Sequence, residues 1–267
     1  MRVSLIQMNA VDDKAANRET AAGLIGRAVA ADNPDMAVLP EMFAYHGMSG
    51  QGRRDAAEDI PSGETYAFLR DLARQHDIVV HGGSFIEKDG EDYFNTTVVF
   101  GRDGAELARY RKIHLFDVTT PDGREYKESA VFSRGKDVVA FEAEGLTFGC
   151  SVCYDLRFPE LYQALAKAGS QAIFVPAAFT LMTGKDHWEP LLRARAIETE
   201  TYIVAPAQWG PYPNGKGASY GHSMIVDPWG QVIVRIPEGD GFATANLSAD
   251  YVDTVRARIP VAQHKVL

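Results

Sequence analysis

The run Leu146-Thr147-Phe148-Gly149-Cys150-Ser151-Val152-Cys153-Tyr154-Asp155-Leu156-Arg157-Phe158-Pro159-Glu160 decides how this chain is read. Leu146 to Val152 is apolar enough for a buried strand. Pro159 then suits the first turn of a helix reaching Ala168, with Leu161, Tyr162 and Leu165 on one side. Another apolar run, Ala172 to Val175, reads as a second strand. Strand, turn, helix and strand in that order form the repeating unit of an α/β fold.

The same unit recurs on both sides. Upstream, Arg2 to Gln7, Met36 to Leu39 and Ile78 to Gly83 read as strands, separated by helices over Lys14 to Ala31 and Glu64 to His76. Downstream, Trp188 to Thr199 suits a helix and Tyr202 to Ala207 a strand. Two hairpins interrupt the alternation. Tyr93 to Phe100 pairs with Glu106 to Arg111 around Asp103-Gly104, and Ser223 to Val226 pairs with Val232 to Arg235 around Pro228-Trp229-Gly230. One hairpin in each half points to two mixed sheets layered on each other, with helices outside. No Pro/Gly/Ser linker or short repeat divides residues 1–267, so a single domain is expected.

Composition narrows the function. With 27 Lys plus Arg against 36 Asp plus Glu, the net charge is −9, which argues against nucleic acid as a partner. Apolar runs such as Ala172 to Phe179 are far shorter than the roughly 20 residues that span a bilayer, so no membrane partner is expected. The first ten residues lack the apolar core of a signal peptide, and a cytoplasmic location is the expectation. Two cysteines do not make a disulfide framework, so burial must hold the fold.

Three polar residues follow apolar strands, where the carboxyl ends of strands open onto a crevice in α/β folds. They are Glu41 in Leu39-Pro40-Glu41-Met42-Phe43, Lys112 in Tyr110-Arg111-Lys112-Ile113-His114, and Cys153. A carboxylate base, a cation for a developing oxyanion and a thiol nucleophile are the minimum set for acyl transfer. Lys112 nearby would favour the thiolate, and Glu41 could take the proton. The turn after Cys153 also offers backbone N–H groups as oxyanion donors. On this reading Lys112→Ala spares folding and costs transition-state stabilisation.

These motifs, with Gly221-His222-Ser223-Met224 and Asp227-Pro228-Trp229-Gly230 following in order, resemble those of the nitrilase superfamily of carbon–nitrogen hydrolases. The resemblance covers nearly the whole chain. It implies a four-layer α-β-β-α sandwich that pairs with a second copy as α-β-β-α-α-β-β-α. It implies catalysis by Glu41, Lys112 and Cys153, an oxyanion bond from the Tyr154 backbone N–H, and a second glutamate at Glu128. Cys153 to Leu161, His187-Trp188-Glu189 and Ala218 to Ser223 look closest to the omega-amidase and deaminated-glutathione-amidase branch. That branch implies a small amide substrate bearing a carboxylate, bound by Arg157 with hydroxyls from Thr183 and Tyr45. It also implies no cofactor and no metal. Nitrile and N-carbamoyl hydrolases share the triad and are the alternatives.

Plainer readings stand beside these. Glu128 could be confused with Glu125, Arg157 could pair with Asp155 or Glu160, and Thr183 and Tyr45 could be turn residues. His46, His114, His187 and His222 lack the i, i+4 spacing of a zinc helix. Cys150 and Cys153 form a literal C-x-x-C, the mark of a redox or metal-binding protein. Cys150 falls inside a strand, however, so the two would face opposite ways.

Overall fold

Alternation along the strands sorts their side chains into two cores. In strand Arg2–Gln7, Val3 and Leu5 enter one core and Ile6 the other; in Met36–Val38, Met36 and Val38 oppose Ala37 in the same way. The computed structural model, which describes residues 1–266, resolves this pattern into two stacked mixed sheets. The first has eight strands, running in the order Gly241–Asn246, Arg2–Gln7, Met36–Val38, Val79–His81, Asp92–Phe100, Phe85–Asp89 and Glu58–Asp59. Its eighth, Glu106–Arg111, also pairs with Asp92–Phe100. The second has six, in the order Ala140–Ala143, Leu146–Cys150, Ala172–Phe174, Tyr202–Ala205, Met224–Val226 and Val232–Arg235. Pairing is parallel along each βαβ unit and antiparallel at the hairpins.

The sheets meet across an apolar layer in which Val38, Val99 and Tyr110 of the first join Phe148, Cys150 and Phe174 of the second. Helices close the outer faces. Lys14–Asp32 starts at Asp13, whose carboxylate caps the Ala15 and Ala16 N–H groups, and buries Ala21, Leu24, Ile25 and Ala28 at helical spacing. With Glu64–His76 it covers the first sheet, while Pro159–Lys167 and Leu181–Thr199 cover the second through Leu161, Leu165, Trp188 and Leu192. The result is the α-β-β-α sandwich expected of the sequence. Among the described residues no helix is long and apolar enough to cross a membrane.

The differences from expectation are local. The last helix of the second layer begins at Leu181, two turns before Trp188, because Thr180 caps the Thr183 N–H and Pro190 is accommodated inside the helix. Gly184 allows that early turn to press on Tyr220, since a Cβ there would overlap the tyrosine side chain. Strands Phe85–Asp89, Ala140–Ala143 and Gly241–Asn246, helix Ala249–Arg258 and two small antiparallel pairs, Asp117–Thr119 with Glu125–Lys127 and Trp209–Pro211 with Ala218–Tyr220, are present without strong sequence periodicity. Strands ending at His81, Cys150 and Ala205 stop two residues earlier than the apolar runs do.

Candidate active site

Two strand ends and one turn bring the reactive groups together. Glu41 follows Met36–Val38, and backbone bonds from Leu39 N–H to His81 C=O and from Phe43 N–H to Ser84 C=O hold its flanks. Lys112 follows Glu106–Arg111. Its N–H donates to Asn95 C=O and its C=O accepts from Gly135 N–H, both at 2.9 Å. Gly135 is required there, because a Cβ would overlap the Arg111 carbonyl. Cys153 opens a single 3-10 turn, Cys153–Arg157, with φ 50, a left-handed conformation costing a non-glycine residue about 1–2 kcal/mol.

Asp155 anchors that turn. Its fully buried carboxylate accepts from Tyr110 Oη at 2.7 Å, Val152 N–H at 2.9 Å, and His114 N–H and Nδ1 at 3.0 and 2.7 Å. Arg195 adds a bond from Nε to the Leu156 carbonyl at 2.9 Å. The turn is thus tied to the Tyr110–His114 segment that carries Lys112 on the opposite sheet.

At the centre, Lys112 Nζ lies 3.0 Å from Glu41 Oε1 and 3.0 and 2.9 Å from Glu128 Oε1 and Oε2. Glu41 Oε2 accepts the Ala178 N–H at 2.7 Å, and Glu128 Oε2 the Phe116 N–H at 2.6 Å. Burial alone would discharge Lys112, but the Glu128 and Glu41 carboxylates outweigh it and hold the ammonium pKa well above its ordinary value. Burial, reinforced by Glu41, pushes the Cys153 thiol well up against the opposing pull of Lys112. Burial therefore holds the resting sulfur as a thiol, with Lys112 pulling toward the thiolate as the sequence suggested but not far enough to prevail. Among the described residues the Tyr154 N–H has no hydrogen-bond partner.

Glu128, and not the exposed Glu125, is the glutamate that reaches Lys112. These groups line a cavity of about 100 Å³ with Thr183, Phe179, Phe116, Tyr126 and Tyr212. Thr183 Oγ1 is 2.8 Å from Thr180 Oγ1. Arg157 stands beside the cavity, its guanidinium 5.3 Å from the Phe179 ring centre and 5.9 Å from that of Tyr154, both lining residues. Its nearest polar partner is His187 Nδ1 at 3.4 Å; it pairs with neither Asp155 nor Glu160. Tyr45 does not line the cavity. Its ring lies over Gly47 and Gly52, and its neighbours His46, Met48 and Arg53 form that wall instead.

Sequence reasoning passed over Asn95. Its Nδ2 donates to Glu41 Oε1 at 2.9 Å and to Glu128 Oε1 at 3.3 Å, so one side-chain amide holds both carboxylates. Its place in an apolar, β-branched strand gave no chemical signal, though a lone amide among Phe94, Thr96 and Thr97 was a hint. Asp155 was visible only as the third residue of the cysteine motif. Cys150 is buried in its strand with its thiol pushed up to about 12 by burial, and both cysteines are free. The four histidines have different partners: His114 meets Asp155, His187 meets Arg157, His222 lies on Tyr220 and His46 on Tyr212.

Residues 2–257 match the carbon-nitrogen hydrolase family. The chain is 40% identical to a deaminated glutathione amidase of Dictyostelium discoideum, over 100% of this chain and 94% of that protein. It is 37% identical to the omega-amidase NIT2 of Danio rerio, over 99% of this chain and 94% of that one. Among solved structures, Saccharomyces cerevisiae Nit3, a member of branch 10 of the nitrilase superfamily, superposes with a TM-score of 0.89 at 30% identity, covering 100% and 97% of the two chains. The Caenorhabditis elegans NitFhit protein gives 0.92 at 38% identity, the match covering 99% of this chain and 64% of that one.

Proposed function

From the premise that this chain belongs to the carbon–nitrogen hydrolase family and is an amidase, we propose that it cleaves the amide of a small 2-oxo acid through a thioester on Cys153. Candidate substrates are 2-oxoglutaramate and deaminated glutathione. The observation that carries the mechanism is the Lys112 ammonium held between the Glu41 and Glu128 carboxylates in the cavity that Cys153 also lines.

Glu41 takes the thiol proton as sulfur attacks the amide carbon, which avoids building a free thiolate in a buried site. Lys112 spends its three N–H groups on Glu41 Oε1 and the two Glu128 oxygens at rest, so one of these bonds is exchanged for the oxyanion, which the Tyr154 N–H meets from the other side. The C–N bond breaks as Glu41 returns the proton to the departing nitrogen. Water, deprotonated by Glu41, then adds to the thioester; the C–S bond breaks and sulfur recovers the proton. Every step uses groups of the chain and water. Arg157 suits the substrate carboxylate because its guanidinium has no acidic partner within 4 Å among the described residues, and Thr183 supplies a hydroxyl in the cavity wall. The chain is also assigned to a homodimer, supported by exposed Ile197, Trp229 and Ile233; sedimentation equilibrium tests it.

The test is release of ammonia or amine from 2-oxoglutaramate and deaminated glutathione, against glutamine, a simple nitrile and an N-carbamoyl amino acid, with Cys153→Ala as the blank. Turnover of either 2-oxo acid amide supports the assignment. Turnover confined to the nitrile or carbamoyl compound overturns the substrate and keeps the triad, and an active Cys153→Ala overturns the nucleophile.

A further inference from the structure

Glu41 draws its partners from both sheets. Lys112 and Asn95, from the first, hold Oε1, whereas the Ala178 N–H, which follows the second-sheet strand Ala172–Phe174, holds Oε2. The same segment binds the nucleophile turn, because the Cys153 N–H donates to the Pro176 carbonyl at 3.0 Å. Base and sulfur are therefore both referred to residues 176–178, and their mutual placement depends on how that segment sits against the Glu41 main chain.

Gln208 joins the two. It follows strand Tyr202–Ala205 and is 1% exposed. Its backbone N–H donates to the Ala177 carbonyl at 2.8 Å, which fixes the peptide plane whose other end is the Ala178 N–H. Its side-chain Nε2 donates to the Glu41 carbonyl at 3.0 Å, and its Oε1 accepts the Ala10 N–H at 2.8 Å. One residue thus grips the main chain of the base and the peptide that orients the carboxylate of the base. A plainer role would be to satisfy buried backbone groups, as Gln7 does. Gln7 is fully buried, donates to the Pro237 and Gly239 carbonyls at 2.6 and 2.8 Å and accepts the Ser223 N–H at 2.9 Å, yet none of these partners is a catalytic group.

We infer that Gln208 is a positioning residue for the hydrolysis, which sets the Glu41 carboxylate against the Cys153 sulfur from across the two sheets. It touches no reacting atom. This rests on the proposed role of Glu41 as general base.

The experiment measures kcat and KM of Gln208→Met, Gln208→Glu, Gln7→Met and Glu41→Gln on whichever compound of the panel above the wild type turns over fastest. Methionine nearly keeps the volume and removes both side-chain bonds, so kcat of Gln208→Met is expected to fall about tenfold or more with KM within about twofold, while Gln7→Met keeps kcat within about twofold. A neutral carboxyl can donate to the Glu41 carbonyl as the amide does, and a carboxylate cannot. Relative to the wild type at each pH, Gln208→Glu should therefore lose activity about tenfold between pH 6 and pH 10 with circular dichroism unchanged, and that slope is the test should Gln208→Met fail to fold. Unchanged kcat in Gln208→Met, equal losses in the two methionine variants or a flat ratio in Gln208→Glu overturns the positioning role, and an inactive Glu41→Gln then leaves the base standing. A Glu41→Gln of ordinary activity, or a wild type inactive on the whole panel, overturns both.

Discussion

Replacing Asp155 by Asn tests whether the nucleophile turn is held by one carboxylate. Its two oxygens together receive four donors, two on each: Tyr110 Oη and Val152 N–H on Oδ2, His114 N–H and Nδ1 on Oδ1. An asparagine must turn its NH2 toward one of these pairs. The Tyr110 hydroxyl can rotate and the His114 ring can change tautomer, but either choice leaves one backbone N–H facing another donor. A stranded buried donor costs about 1–3 kcal/mol, and losing the charge on the remaining bonds about 1–2 kcal/mol more. The expected loss is therefore about 2–5 kcal/mol in urea denaturation at pH 7. Because the turn sets the Cys153 sulfur and the Tyr154 N–H, kcat should also fall on the order of tenfold or more. Tyr110→Phe is the internal control. It removes one donor and leaves the carboxylate three, so about 1 kcal/mol is expected. A loss below about 1 kcal/mol in Asp155→Asn with kcat intact would refute the argument, since the four bonds would then hold nothing.

Lys112→Ala should not spare folding: it leaves Glu41 and Glu128 buried without their cation, for about 3–5 kcal/mol, readable in the same denaturation experiment at pH 7. Asn95→Leu keeps the volume but frees both carboxylates from the bridging amide, so kcat should drop about tenfold or more with the fold retained by circular dichroism; unchanged kcat would show that Lys112 alone suffices. His81 and His46 are pushed down to about 3 and about 4 by burial. Below about pH 6.5 the unfolded chain binds protons that the folded one refuses, so stability present above that pH is lost on acidification, at about 1.4 kcal/mol per pH unit for each histidine. The His46 share levels off near pH 4 and the His81 share near pH 3. Denaturation of His81→Phe between pH 6 and 5 should show a slope shallower by about that amount, and equal slopes would mean that His81 takes up its proton in the fold.

The layers of the fold were legible because strands such as Arg2–Gln7 and helices such as Glu64–His76 carry periodicity of their own. Gly241–Asn246 was not, since an edge strand of small, half-buried residues alternates too weakly to be seen. Helix Leu181–Thr199 was half legible: Gly184 and Pro190 both argue against a helix, and only packing on Tyr220 explains the first. In the site, Glu41, Lys112 and Cys153 declared themselves by residue type after a strand. Asn95 and Asp155 did not, because they act on other side chains of the chain, and that relation exists only after folding. How strongly Cys153 is held as a thiol was not legible for a related reason: sequence supplies the charges near a thiol but not the depth at which they compete with desolvation.

The thiol held in its protonated form also governs how the protein survives between turnovers. A neutral, buried sulfur is a poor target for peroxide, alkylating agents or stray disulfides, all of which need the thiolate. On the mechanism proposed above, Cys153 becomes reactive only when an acyl group sits where the Lys112 ammonium and the Tyr154 amide can receive the negative charge. Reactivity is then a property of the occupied site, and an idle molecule is spared the oxidative wear that an exposed, low-pKa cysteine would suffer.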